Sequence, residues 1–145
     1  MRNTHHLAII GIVLCLFGAT ARADDYVLIR NAKSPSSTLS KADVRAIYTG
    51  KSKMFGNDVA VVVVPNDDTP AFAAFTERVF DTNTKTLISK IKQEVFKGDM
   101  SKPLKASSDA DVVHLVSATV GTIGVIAAAA AKALPAGVAV IPVGG

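Results

Sequence analysis

Tryptophan is absent from the 145 residues, and only two tyrosines, three histidines and one cysteine are present. Each scarcity closes off a chemistry. A nucleic-acid surface is built from stacking rings set in a basic stripe, whereas here aromatics make up 6% of the chain and the lysines are scattered. A lone cysteine, Cys15, allows no intramolecular disulfide. His5 and His6 stand at the extreme N-terminus, which leaves His114 by itself among dispersed carboxylates. No nucleophile–base pair, metal-ligand cluster or nucleotide loop can be assembled from that set. An enzyme is therefore not expected, nor is a metal or a cofactor. Long apolar runs are also missing: beyond residue 23 nothing reaches the roughly 18 uninterrupted apolar residues of a membrane span.

What is present begins with a leader. Arg2, an apolar block from Leu7 to about Ala19 and the small-x-small triplet Ala21-Arg22-Ala23 have the order of a secretory signal. We read residues 1–23 as that signal and residues 24–145 as one exported, periplasmic domain. Bulky Leu14 argues against lipidation at Cys15. Cleavage would leave 122 residues, with 14 basic side chains against 12 acidic ones once Arg2 and Arg22 are gone. That length supports one modest core, and the surplus of two charges does not point to a polyanion partner.

Tyr26–Ile29 reads as a short strand. Leu39-Ser40-Lys41-Ala42-Asp43-Val44 has the form of a capping box with a hydrophobic staple, opening a helix that Gly50 is placed to end. Val59–Val64 is a β-branched run of the kind found in strands buried on both faces. Asn66, Asp67, Asp68 and Thr69 follow, with Thr69 as cap and Pro70 as first residue of a helix whose inward stripe is Phe72, Phe75 and Val79. A second helix runs from Asn83 or Thr84 to Phe96 and stops at Gly98. A third, over about 109–118, turns Val112, Leu115 and Val116 inward and His114 outward. Gly121 and Gly124 bracket a turn into a strand from Ile123 to about Ala127. The alanine-rich stretch after it reads as a turn or one helical turn, and Val138–Val143 as a last strand. Strands separated by helices in this order predict an α/β domain with a central mixed sheet flanked by helices.

Four stretches, LSKADVRAIYTGK, PNDDTPAFAAFTERVF, EVFKGDMSKP and VSATVGTIGVI, resemble in order and spacing the phosphate ABC transporter substrate-binding protein family of the type 2 periplasmic-binding superfamily. The resemblance spans about residues 39–143 and implies a single lobe of a fold that in full-length members has two. The chain departs from the family pattern at three places. Residues 66–69 lack the glycines and arginine that accompany phosphate capture, Gln93 or a neighbour stands where tryptophan is expected, and Val125-Ile126 replaces a Gly-Tyr pair.

In open α/β sheets ligands collect where strand ends meet helix starts, which marks Asn66, Asp67, Asp68, Thr69 and Ala71 as candidate ligand residues. A helix start offers unpaired N–H groups and a partial positive charge to an anion. Ser37 and Thr38 form a second hydroxyl cluster, and Gly121-Thr122 can supply backbone donors. Each has a plainer reading. Asp67 and Asp68 favour turns and helix starts and can satisfy the donors an anion would need. Two unit charges ~4 Å apart at an effective dielectric near 20 interact by about 4 kcal/mol, so a pair of aspartates opposes an oxyanion as strongly as a few hydrogen bonds attract it. A divalent cation at the pair would lack the third spaced carboxylate of a calcium loop. Residues 36–38 also read as an ordinary polar loop, Gly121-Thr122 as turn chemistry, and Lys51 and Lys53 as solvated surface rather than steering charges.

Two functions fit the sequence. One is an exported solute-binding-like module for phosphate or another small oxyanion, serving an ABC transporter in transport. The other is a non-catalytic envelope interaction protein that has lost ligand binding and pairs with a partner or as a homodimer.

Overall fold

The computed structural model describes residues 25–35, 38–55 and 59–144. The leader and Ser37 lie outside the described residues.

Four strands form the central sheet: β1 (Tyr26–Asn31), β5 (Val62–Val64), β6 (Thr122–Ala127) and β7 (Val138–Ile141), in the order β5-β6-β1-β7. β5 runs parallel to β6, and β1 is antiparallel to both of its neighbours, so the sheet is mixed. Two small pairings decorate it. β2 (Leu39–Ser40) lies parallel to β8 (Val143–Gly144), and β3 (Met54–Phe55) antiparallel to β4 (Val59–Ala60). Periodicity over two residues is no signal, and neither pairing was expected. The β-branched run 59–64 is therefore split between two sheets, and Pro142, which has no N–H to give a ladder, separates β7 from β8. The 62–64 piece is an edge strand rather than a central one, its outer side met by Leu104 N–H, which donates to Val63 O at 3.1 Å.

Alternation along the strands divides the core in two. Leu28, Val63, Ile123 and Val125 face α1 (Lys41–Tyr48), α2 (Pro70–Phe80) and α3 (Thr84–Lys97), where they meet Val44, Tyr48, Phe72, Phe75, Leu87 and Ile91. Ile29, Val64 and Ile126 face the other way, onto Val112 and Val116 of α4 (Asp109–Ala118). A 3-10 helix at Ala128–Ala133 follows β6.

The helix boundaries follow local chemistry. Ser40 and Asp43 form the reciprocal capping box, Asn83 and Ser108 cap α3 and α4, and Gly50 and Gly98 adopt left-handed φ after α1 and α3. Gly124 corrects one expectation. It sits inside β6 rather than in a turn, because α4 crosses so closely that a Cβ there would lie 2.5 Å from Val112 Cγ1. The turn belongs to Gly121 alone, with φ of 87°.

Candidate functional site

The strand-to-helix loop forms as its residues dictate. β5 ends at Val64, Pro65 and Asn66 turn into the interior, and Thr69 caps α2 with Pro70 at the first helical position. Thr69 Oγ1 accepts from Phe72 N–H at 3.4 Å and donates to Asn66 O at 3.0 Å, while Thr69 N–H donates to the same carbonyl at 3.3 Å. Ala73 N–H already bonds Thr69 O. Proline brings no N–H, so of the leading amides of α2 only that of Ala71 is left without a hydrogen bond among the described residues, and Ala71 is buried.

Asp67 and Asp68 behave differently from the plainer reading above. Both are exposed, and neither carboxylate accepts a hydrogen bond among the described residues; Thr69 performs the capping instead. The carboxylate that does enter this region is Asp109, the first residue of α4, which the sequence reading passed over. Its Oδ2 accepts from Ala127 N–H at 3.1 Å, at the carboxyl end of β6, and its Oδ1 accepts from Asn66 Nδ2 at 3.4 Å. A half-buried carboxyl group thus stands where the carboxyl ends of β5 and β6 meet the start of α4. Its only sequence signal is the Ser-Ser-Asp start of that helix, which capping alone explains. Asn66 is fully buried, and its Oδ1 has no hydrogen-bond partner among the described residues.

The remaining candidates do not join this loop. The pairing of Val62 with Thr122 and of Val64 with Gly124 places Gly121 and Thr122 at the opposite end of the parallel strands from residues 65–69. Their polar groups are also engaged: Gly121 N–H donates to Ser34 Oγ at 2.9 Å, and Thr122 Oγ1 bonds Thr119 O and Val116 O at 2.7 and 3.3 Å. Strand register therefore does not bring these donors to the 65–69 loop, and their bonds fit the alternative reading of turn chemistry. Thr38 is exposed before β2, with no hydrogen bond to the 65–69 loop. Lys53 pairs loosely with Asp99 at 3.7 Å. His114 points outward from α4, as its helical position requires. Among the described residues no three His, Cys, Asp or Glu side chains converge as metal ligands, and no helix is long and apolar enough to cross a membrane.

With this geometry in view, solved structures define the fold: it is similar to that of solute-binding proteins of phosphate transport. It is similar to an ABC-type phosphate transport receptor from Vibrio cholerae, with a TM-score of 0.64, 18% identity, and coverage of 82% of this chain and 46% of that one. A putative phosphate ABC transporter substrate-binding protein with bound phosphate from Clostridium perfringens gives a TM-score of 0.59, 21% identity, and 82% and 44% coverage. PstS from Borrelia burgdorferi gives 0.62, 14%, and 83% and 47%. The chain therefore spans less than half the length of each, and at these identities the likeness is one of fold. No protein-family model and no curated protein matches the sequence.

Proposed function

We propose that this chain is an exported, non-catalytic module of solute-binding fold whose anion loop is closed by its own groups, and that it acts by docking on an envelope partner such as a transporter component. One observation carries the reading: at the strand ends where an anion would sit, Asp109 already holds the Ala127 N–H and the Asn66 amide. Thr69 holds Phe72 N–H, and proline removes another donor. Among the leading amides of α2 an incoming oxyanion would find only that of Ala71 unbonded among the described residues, and it would meet the carboxylates of Asp67, Asp68 and Asp109, whose charge repels it.

A second reading, capture of phosphate or another small oxyanion, draws support from the Ala71 N–H and Asn66 Oδ1, neither of which has a hydrogen-bond partner among the described residues. A hydrogen phosphate can accept from the first and donate to the second. Calorimetry and thermal unfolding against phosphate, sulfate and acetate separate the two. A ligand at a hundred times its dissociation constant would stabilise the fold by about 2.7 kcal/mol. The docking reading expects no saturable heat and no shift, together with recovery of a specific partner by crosslinking in the envelope. Saturable phosphate binding that Asn66→Ala weakens would replace it with the second reading.

A further inference from the structure

A groove of about 460 Å³ opens between α3 and the segment that follows it, with Pro65 and Asp67 at one end. Its walls are apolar: Ile88, Ile91 and Val95 come from successive turns of α3, and Pro103 faces them. Segment 102–105 is held in place because Leu104 N–H bonds the edge of β5 at Val63 O. Phe96 also lines the groove, yet it is 95% exposed. A large apolar ring left in water at the mouth of an apolar groove gains from anything that covers it. Three cations, Lys92, Lys102 and Lys105, border the same space against the single carboxylate of Asp67. None of the three lysines pairs with a carboxylate among the described residues.

We propose that this groove binds a small organic anion with a hydrocarbon tail, its tail lying along Ile88, Ile91 and Val95 under Phe96 and its head group held by the lysines. The volume lies within the roughly 300–1,000 Å³ of small-molecule sites, and a lining of apolar walls with a few charged groups suits an amphiphile of opposite charge. A folded protein partner would need on the order of 1,000 Å² of buried surface, more than a groove of this size presents by itself. The groove meets the oxyanion loop at Pro65 and Asp67, but Asn66, Ala71 and Asp109 do not line it.

Calorimetric titration of the chain with decanoate, kept below its micelle concentration, tests the proposal beside decyltrimethylammonium, which carries the same tail and the opposite charge. Decanoate is expected to bind saturably at one site and decyltrimethylammonium at least about tenfold more weakly. Phe96→Ala should weaken decanoate by about fivefold or more, and K92E/K102E/K105E by about tenfold or more. Lys33→Glu, an exposed position just beyond the far end of β1, should leave the affinity unchanged. All these side chains are exposed, so circular dichroism should report intact folds. No saturable heat with decanoate, equal affinity for the two amphiphiles, or affinity unmoved in both groove variants would overturn the proposal. So would binding only of an acidic amphipathic peptide, which would make the groove a protein-docking surface.

Discussion

Among single residues, Tyr48 carries the clearest unresolved cost. Its ring is fully buried between Phe75 and Phe80, with centroids 5.0 and 6.0 Å away, but its hydroxyl has no hydrogen-bond partner among the described residues. Burial pushes the phenol's pKa far up, so the group stays neutral and unsolvated. Removing an unpaired buried hydroxyl relieves a desolvation penalty of about 1–3 kcal/mol while the ring keeps its packing. Tyr48→Phe is therefore expected to raise stability by about 1 kcal/mol. Urea unfolding should show a higher midpoint with an unchanged slope, and a lower midpoint would mean the hydroxyl has a partner in solution. That Tyr48 would be inward was legible from its place on the apolar side of an amphipathic helix. That its oxygen would be stranded was not, because its surroundings depend on Phe75 and Phe80 arriving from another helix.

Elements obeyed local chemistry wherever a cap or an apolar stripe was written into neighbouring residues. Thr69-Pro70, Ser40 with Asp43, and Asn83 all start helices where expected, since each bond spans three residues or fewer. Short pairings such as Leu39 with Val143 were invisible, because the partner lies far along the chain and two residues have no period. Caps also predict a pH dependence. Hydrogen bonds from the Ser40 backbone and hydroxyl lower the pKa of Asp43 from its ordinary 3.8, and the Ser107 hydroxyl and backbone do the same for Asp111. A depressed folded pKa contributes stability that is complete above the ordinary value and is lost as pH falls through the lowered one. The double variant D43N/D111N should accordingly lose less stability than the parent on going below about pH 4, measured as thermal midpoint against pH. Packing between elements yields a further expectation at Gly124. Alanine there must push Val112 Cγ1 from 2.5 Å and Val116 Cγ2 from 3.3 Å, and neither short, branched side chain can swing away. Gly124→Ala should cost about 1–3 kcal/mol, read from chemical denaturation; a neutral result would show that α4 slides on the sheet.

For the molecule as a whole, the central question is whether one lobe can do what a clamshell does. The four motifs pointed to the fold because they record which helix ends and strand ends must be adjacent. They could not show that Asp109 would fill the space beside Asn66, since that contact joins residues 43 positions apart. Nor could they show that Gly121 would stand at the wrong end of the sheet, because register decides it. In the fold as observed, α2 and α3 on one face and α4 on the other are packed into the same four strands through two continuous apolar clusters. Hinge closure requires two bodies joined by a few residues that absorb the backbone change, and no such division separates these layers. For residues 24–145 as a monomer, small-angle scattering should give a radius of gyration of about 14 Å. Millimolar phosphate should leave that radius unchanged. A measurable contraction on adding phosphate would mean that the layers move apart and together after all, and would restore ligand capture as the working function of the lobe. A doubled mass with a correspondingly larger radius would instead indicate that a second copy covers the exposed Val140 on the edge strand β7.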